Sequence, residues 1–223
     1  MQIENFRDEL NHKDIDSEEE DTNYTYTFAK RTLDLILSLI GVICLSPVFL
    51  IVGLIIKLDS RGPIIFSQKR VGKDGKEFNM YKFRSMVINA EELKKKLIDK
   101  NEVSGPMFKM KDDPRITKIG KFIRKTSIDE LPQLINVLKG EMSLVGPRPS
   151  LPKEVAEFEP WMMKRLEVKP GLTCYWQVSG RSSIGFEEWM RLDVKYIEEK
   201  SMWVDLKLIF KTFFVLFGDK NAS

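Results

Sequence analysis

Histidine is all but missing from this chain. Its single copy, His12, lies in an acidic N-terminal stretch, and the body that follows has none. That removes the side chain most often used as a general base at neutral pH. Cysteine is nearly as scarce. Cys44 and Cys174 are too few and too far apart for a zinc site or a disulfide framework. Cys44 falls in an apolar run, where a thiol ordinarily serves packing. There is no internal repeat and no glycine-rich phosphate fingerprint, because Gly72-x-x-Gly75 is far too short for a P-loop. Any catalysis must therefore rest on carboxylates, Lys, Arg, Ser or Tyr, with a hard, oxygen-liganded cation as the fitting metal.

Charge is plentiful and unevenly spread. Residues 1–23 carry nine acids against Arg7 and Lys13, a net of −7, so the rest of the chain carries +10 of the overall +3. The acidic stretch has no apolar periodicity and reads as a disordered tail. It has no apolar core of the kind a signal peptide needs. A basic body suits phosphate-bearing partners such as anionic lipid, nucleotide or nucleic acid. The full 223 residues suffice for one core with a membrane appendage.

That appendage is Leu35–Ile56, 22 residues without a charge. Such length fits a transmembrane span, with a buried core helix as the alternative. Two features argue against a simple crossing. Ser46-Pro47 interrupts the run near its middle, where proline removes a backbone hydrogen bond and bends a helix. Basic residues flank both ends, with Lys30 and Arg31 before and Lys57, Arg61, Lys69 and Arg70 after. The positive-inside rule then places both ends in the cytoplasm. A re-entrant helix-break-helix meets both conditions, its arms of about 11 residues being roughly 16 Å long and too short to cross. Asp34 at the entrance either pairs with Lys30 or Arg31 or remains solvated.

Farther on, Ile64–Val71 and Glu77–Arg84 read as a hairpin turning at Gly72–Lys76. Period two puts Lys82 and Arg84 on one face, either as edge-strand charges or as phosphate ligands. Ala90–Lys100 reads as a charged helix. Asp113-Pro114 opens another, with Asp113 as its cap and Ile116, Ile119 and Ile123 facing inward. Glu154–Val168 has helical spacing of apolar residues, Leu172–Val178 is a short strand or loop, and Phe186–Glu199 is a helix. Ser201–Phe217 fits an interfacial helix, with Trp203 and four phenylalanines.

Between them lies a pair of adjacent carboxylates, Asp129 and Glu130, with Arg124 and Lys125 before them and Arg148 after. Ser127-x-x-Glu130 matches a capping box, Pro132 suits a first helical turn, and Gly140 suits a helix C-terminus. The pair therefore either caps a helix or carries chemistry.

The ordered motifs over residues 28–217 resemble the bacterial sugar transferases, the small monotopic phosphoglycosyl transferases. They are Ser46-Pro47, Gln68-x-Arg70-x-Gly72, Lys82-Phe83-Arg84-Ser85-Met86, Asp113-Pro114-Arg115-Ile116-Thr117, Arg124 to Gln133, Gly146-Pro147-Arg148-Pro149, Pro170-Gly171-Leu172-Thr173 and Trp176-Gln177-Val178-Ser179-Gly180-Arg181. Cys174 stands where many members have glycine. The larger members begin with several spans and a further domain, so the likeness is to the small form.

The resemblance implies transfer of a sugar-1-phosphate from a UDP-sugar to undecaprenyl phosphate, starting a capsule, exopolysaccharide or O-antigen repeat. It implies Asp129 as nucleophile on the β-phosphorus, with release of UMP, and Glu130 as ligand to Mg²⁺. Lys82, Arg84, Arg124 and Arg148 would supply positive charge, and Arg115, Gln177 and Arg181 nucleotide or sugar contacts. The partners would be UDP-sugar, undecaprenyl phosphate and membrane lipid, with no nucleic acid and self-association left open. The expected fold is α+β and mostly helical: a tail at 1–23, a re-entrant membrane hairpin at 24–60, a cytosolic membrane-surface domain at 61–217 carrying a small β-hairpin and interfacial helices, and a tail at 218–223. A membrane scaffold and a lipid-phosphate hydrolase are the other function classes. The first gives the carboxylate pair nothing to do, and the second needs a water-activating base the chain does not obviously contain.

Overall fold

The computed structural model describes residues 17–101, 112–179 and 184–218, together with Ile3, Phe6, Phe108 and Met110. Its architecture is α+β and mostly helical. Helix α1 (Ser17–Cys44) and helix α2 (Ser46–Asp59) hold the apolar run and meet at a 58° bend. Pro47 lies in the first turn of α2, where its missing N–H costs no helical bond. The Ser46 hydroxyl donates to the Ile43 carbonyl at 2.8 Å and closes the break. No single described helix is long and apolar enough to cross a membrane; the bent pair meets that test only together. Because α1 starts at Ser17, the end of the segment expected to be a disordered tail is helical. Phe6 is buried against Val155, Phe158 and Trp189, so apolar side chains of the acidic stretch reach the core.

Strands β1 (Ile65–Val71) and β2 (Glu77–Phe83) pair antiparallel as the alternation predicts. Helix α3 (Ala90–Lys96) buries no residue. Helix α4 (Lys118–Lys125) begins later than its Asp-Pro signal. Thr117 is the cap, its hydroxyl accepting from the Gly120 amide at 2.9 Å. Asp113 is engaged elsewhere, by Arg115. Gly120 is required by contact, for a Cβ there would stand 2.0 Å from the Ser85 carbonyl oxygen. Helix α5 (Gln133–Lys139) ends at Gly140, whose φ of 83° is the left-handed C-cap the sequence suggests.

Strands β3 (Ser143–Val145) and β4 (Gly171–Thr173) form a second, parallel pair. The periodic stretch Glu154–Val168 is not one helix. Pro160 interrupts it, leaving short turns at Pro152–Val155 and Pro160–Met163 and a 3₁₀ segment at Lys164–Glu167. Helix α6 (Phe186–Glu199) and helix α7 (Met202–Gly218) complete the chain.

Buried charge ties the bent helix pair to the body. Asp34 pairs with neither neighbour. It accepts from the Ser143 hydroxyl and the Leu144 amide, at 3.1 and 2.9 Å. Lys30 donates to Asp205 on α7 at 2.7 Å, and Tyr196 and Tyr26 donate to the same carboxylate. Arg31 donates to the Val137 and Leu138 carbonyls at the end of α5, where a cation complements the helix dipole. Val52 and Ile56 of α2 pack with Phe83 and Ile123, and Ile128 and Leu131 pack against that cluster. Each such buried aliphatic side chain contributes about 1.5–3 kcal/mol. The two residues that flank the carboxylate pair are thus fastened to α2.

Candidate active site

Asp129 and Glu130 do not sit in an α-helical first turn. Helix α4 ends at Lys125, Ser127 takes a left-handed φ of 55°, and Ile128–Glu130 form one 3₁₀ turn ahead of α5. The expected capping box is absent: the Ser127 side chain caps nothing, and the Glu130 amide donates to the Ser127 carbonyl instead. The reversal at Ser127 turns Ile128 and Leu131 toward α2, leaving the carboxylates between them. In a 3₁₀ turn, neighbours diverge by about 120°, so the two acids meet different surroundings.

The divergence appears in their charge state. Asp129 is 8% exposed. Burial pushes its pKa above the ordinary carboxylate range; the charge of Glu130 adds to that, while Lys82, Arg124 and Arg148 oppose it. For Glu130 burial also raises the pKa, but Lys82 and Arg148 outweigh it by charge and hydrogen bonding and hold it at about 2. Lys82 Nζ lies 2.6 Å from Glu130 Oε1, and Arg148 Nη1 lies 3.4 Å from the same oxygen. Two adjacent carboxylates whose environments drive their pKa values apart can take separate chemical roles. Glu130 stays an anion. Asp129 is the more basic of the two and hence the better nucleophile when ionised.

The remaining sequence-derived residues divide. Lys82, Arg124 and Arg148 surround the pair electrostatically, and the Arg148 guanidinium lies 5.7 Å from the centre of the Trp176 ring. Arg84 does not join them. It is buried and donates to the carbonyls of Ser60 (2.8 Å), Ile56 and Arg61, closing the C-terminus of α2. The period-two argument ends with β2 at Phe83. Arg115 is also buried, clasped by Asp113 at 2.6 Å and stacked on Phe108. Gln177 is buried beside Trp176 and donates to the Leu172 carbonyl at 3.5 Å. Arg181 lies outside the described residues.

Two arginines beside the site were given no site role by the sequence. Arg70 on β1 donates to the Pro149 carbonyl at 3.0 Å and to Gln68 Oε1 at 2.8 Å. The motif Gln68-x-Arg70 could have revealed it, since period two sets both on one face. Arg165 is almost fully buried and donates to Asp193 at 2.6 Å, to the Ser150 hydroxyl at 2.7 Å and to the Arg148 carbonyl at 2.7 Å. No local pattern marks it, because its partners are distant in sequence. Gly146 and Gly171 hold the loop from behind. A Cβ on Gly171 would come within 2.1 Å of the Gly146 nitrogen.

A metal would find hard oxygen donors here and little else. Among the described residues no group of three or more His, Cys, Asp and Glu side chains could hold one. Both ion pairs to Glu130 fall on Oε1. A site of one or two carboxylates, completed by water and substrate phosphates, is the usual way Mg²⁺ is held, and the donor set fits that description.

Comparison with known proteins then decides the family. A model of the family described as bacterial sugar transferase matches residues 25–219. The chain belongs to the bacterial sugar transferase family. It is 52% identical over 201 residues to a galactosyl transferase of Streptococcus agalactiae serotype III (strain NEM316), covering 90% of this chain and 44% of that protein. It is 44% identical over 189 residues to the undecaprenyl-phosphate galactose phosphotransferase of Salmonella typhimurium, covering 83% and 40%. An exopolysaccharide production protein of Sinorhizobium fredii is 36% identical over 188 residues, covering 82% of this chain and 83% of its own length. The chain therefore spans less than half of the first two sugar transferases and most of the third.

Proposed function

We propose that this chain is a phosphoglycosyl transferase that moves a sugar-1-phosphate from a UDP-sugar to undecaprenyl phosphate. The observation that carries the reading is the divided carboxylate pair, one acid buried and more basic, the other held ionised by Lys82 and Arg148. Two relatives support the class of reaction: the Salmonella protein is named as a galactose phosphotransferase and one from Komagataeibacter xylinus as a glucose phosphotransferase, each with undecaprenyl phosphate. The sugar thus differs among relatives, and no particular sugar is proposed for this chain.

In the first step a carboxylate oxygen of Asp129 attacks the β-phosphorus, and the bond from that phosphorus to the bridging oxygen breaks. UMP leaves with the electron pair, and a sugar-phosphoryl aspartate remains. In the second step a phosphate oxygen of undecaprenyl phosphate attacks the same phosphorus, freeing the Asp129 carboxylate and forming the lipid diphosphate sugar. A carboxylate nucleophile divides one phosphoryl transfer into two easier ones. Lys82, Arg124 and Arg148 lower the repulsion between that anion and the diphosphate. Glu130 would hold Mg²⁺, which when bound supplies charge neutralisation at the phosphates.

The place of work would be the cytosolic face of a bacterial inner membrane, with α1–α2 as a monotopic re-entrant pair. The bend at Leu45, the basic flanks and the exposed apolar side chains of Leu50, Leu54, Leu58, Trp203 and Phe210 support this. The test is a panel of UDP-sugars with undecaprenyl phosphate, following UMP. One or more sugars should give lipid-dependent turnover. A pure, folded, membrane-bound protein that releases UMP from none of them would refute the proposal.

A further inference from the structure

Arg148 projects from a loop whose backbone is held entirely from outside. Pro147 and Pro149 have no N–H to give, and four successive carbonyls are each taken by a donor from elsewhere. The Gly171 amide donates to Pro147 at 2.9 Å, Arg165 to Arg148 at 2.7 Å, Arg70 to Pro149 at 3.0 Å, and the Val71 amide to Ser150 at 2.9 Å. The two arginines differ in how their charge is met. Arg165 has Asp193 at 2.6 Å. Arg70 donates to a neutral partner, Gln68, and forms only a long ion pair, 4.0 Å, with Glu154. Its side chain is only 13% exposed. Burial and the like charge of Arg148 bring its pKa down to about 10. A tether to one carbonyl needs no charge, yet a largely buried cation is kept here at a cost.

On the transferase reading above, we propose that Arg70 is a positioning residue for Arg148. It fixes the Pro149 carbonyl and so holds the loop that sets the Arg148 guanidinium beside Glu130, facing the incoming diphosphate. Gln68 holds Arg70 in the orientation that does so. Arg70 acts through Arg148 and does not itself touch substrate. Misplacing a phosphate-binding group by an ångström is enough to change rates substantially.

The experiment is a double-mutant cycle on the full-length protein in detergent, using the UDP-sugar that the native protein turns over fastest. Arg70→Met should raise KM for the UDP-sugar roughly tenfold with thermal unfolding of the folded protein near native, and Arg70→Lys should recover part of the loss. Arg148→Met should cost roughly a hundredfold in kcat/KM. The double variant should be no worse than Arg148→Met alone, because Arg70 would have nothing left to position. Losses that multiply overturn the proposal, since Arg70 would then act on its own. An Arg70→Met protein with native KM overturns it too, showing a role in stability only. If Arg70→Met does not fold, Gln68→Ala decides by the same rule. It should raise KM a few-fold in the native background and leave it unchanged in Arg148→Met. A native protein that releases no UMP condemns the transferase reading; a native protein that turns over while the losses multiply condemns only this one.

Discussion

Replacing Lys82 by methionine removes the 2.6 Å ion pair to Glu130 and keeps most of the side-chain volume. Folding holds the Glu130 pKa at about 2 against an ordinary value of 4.5. A difference of that size corresponds to ~3 kcal/mol at neutral pH. Lys82 shares it with Arg148, which is farther away at 3.4 Å, so the larger part falls to Lys82. Glu130 keeps 29% exposure, and solvent screening reduces the figure further. The expected cost of Lys82→Met is thus about 1–2 kcal/mol at pH 7. The sign with pH follows from a depressed carboxylate. Its contribution is present above the unfolded value of 4.5 and lost as the pH falls through about 2. Urea unfolding of both proteins in detergent measures this. The gap should be constant from pH 7 to about 5.5 and smaller by roughly half at pH 2.5. No gap at pH 7, or a gap that does not shrink at pH 2.5, would refute the reasoning. Turnover should fall as well, because Lys82 also moderates the charge of Asp129.

Asp129→Asn separates chemistry from folding. The folded-state pKa of Asp129 is raised, so its charge opposes folding at neutral pH and does not do so below about 3.8. The amide variant should therefore unfold at the native midpoint or above it at pH 7, while turnover falls roughly a thousandfold or more. It should also retain no acid-stable label from a UDP-sugar carrying radioactive β-phosphate, which the native protein holds when no lipid is supplied; near-native UMP release would end the covalent mechanism. EDTA should abolish turnover and Mg²⁺ restore it, and full activity in excess chelator would count against Glu130 as a metal ligand. In a Cys44→Ser background, which removes the exposed native thiol, cysteines at positions 28 and 60 should both react only from the cytoplasmic side. Labelling of either one from outside rules out the re-entrant arrangement.

Local chemistry alone determined a good part of this molecule. The hairpin Ile65–Phe83, the break at Ser46-Pro47, the glycine end of α5 and the helix Phe186–Glu199 all follow from alternation, proline, glycine and helical spacing. The scarcity of histidine and cysteine pointed to carboxylates, and the ordered motifs singled out Asp129 and Glu130 among 33 acids. Tertiary structure decided what those signals could not express. Ser127-x-x-Glu130 has the letters of a capping box, but Ile128 and Leu131 gain more by packing toward α2, and the chain reverses at Ser127 instead. Lys82 and Arg84 are equivalent by period, yet only Lys82 reaches Glu130, because the sheet ends at Phe83 and the carbonyls closing α2 claim Arg84. Asp113 reads as a helix cap until Arg115 is seen to hold it. Arg165 has no local signature at all, for its meaning lies in Asp193 and in the carbonyl of Arg148. Cap, strand and turn preferences act over a few residues and can be read along the chain. Which cation meets which anion depends on where distant segments are brought together, and burial then makes that choice count.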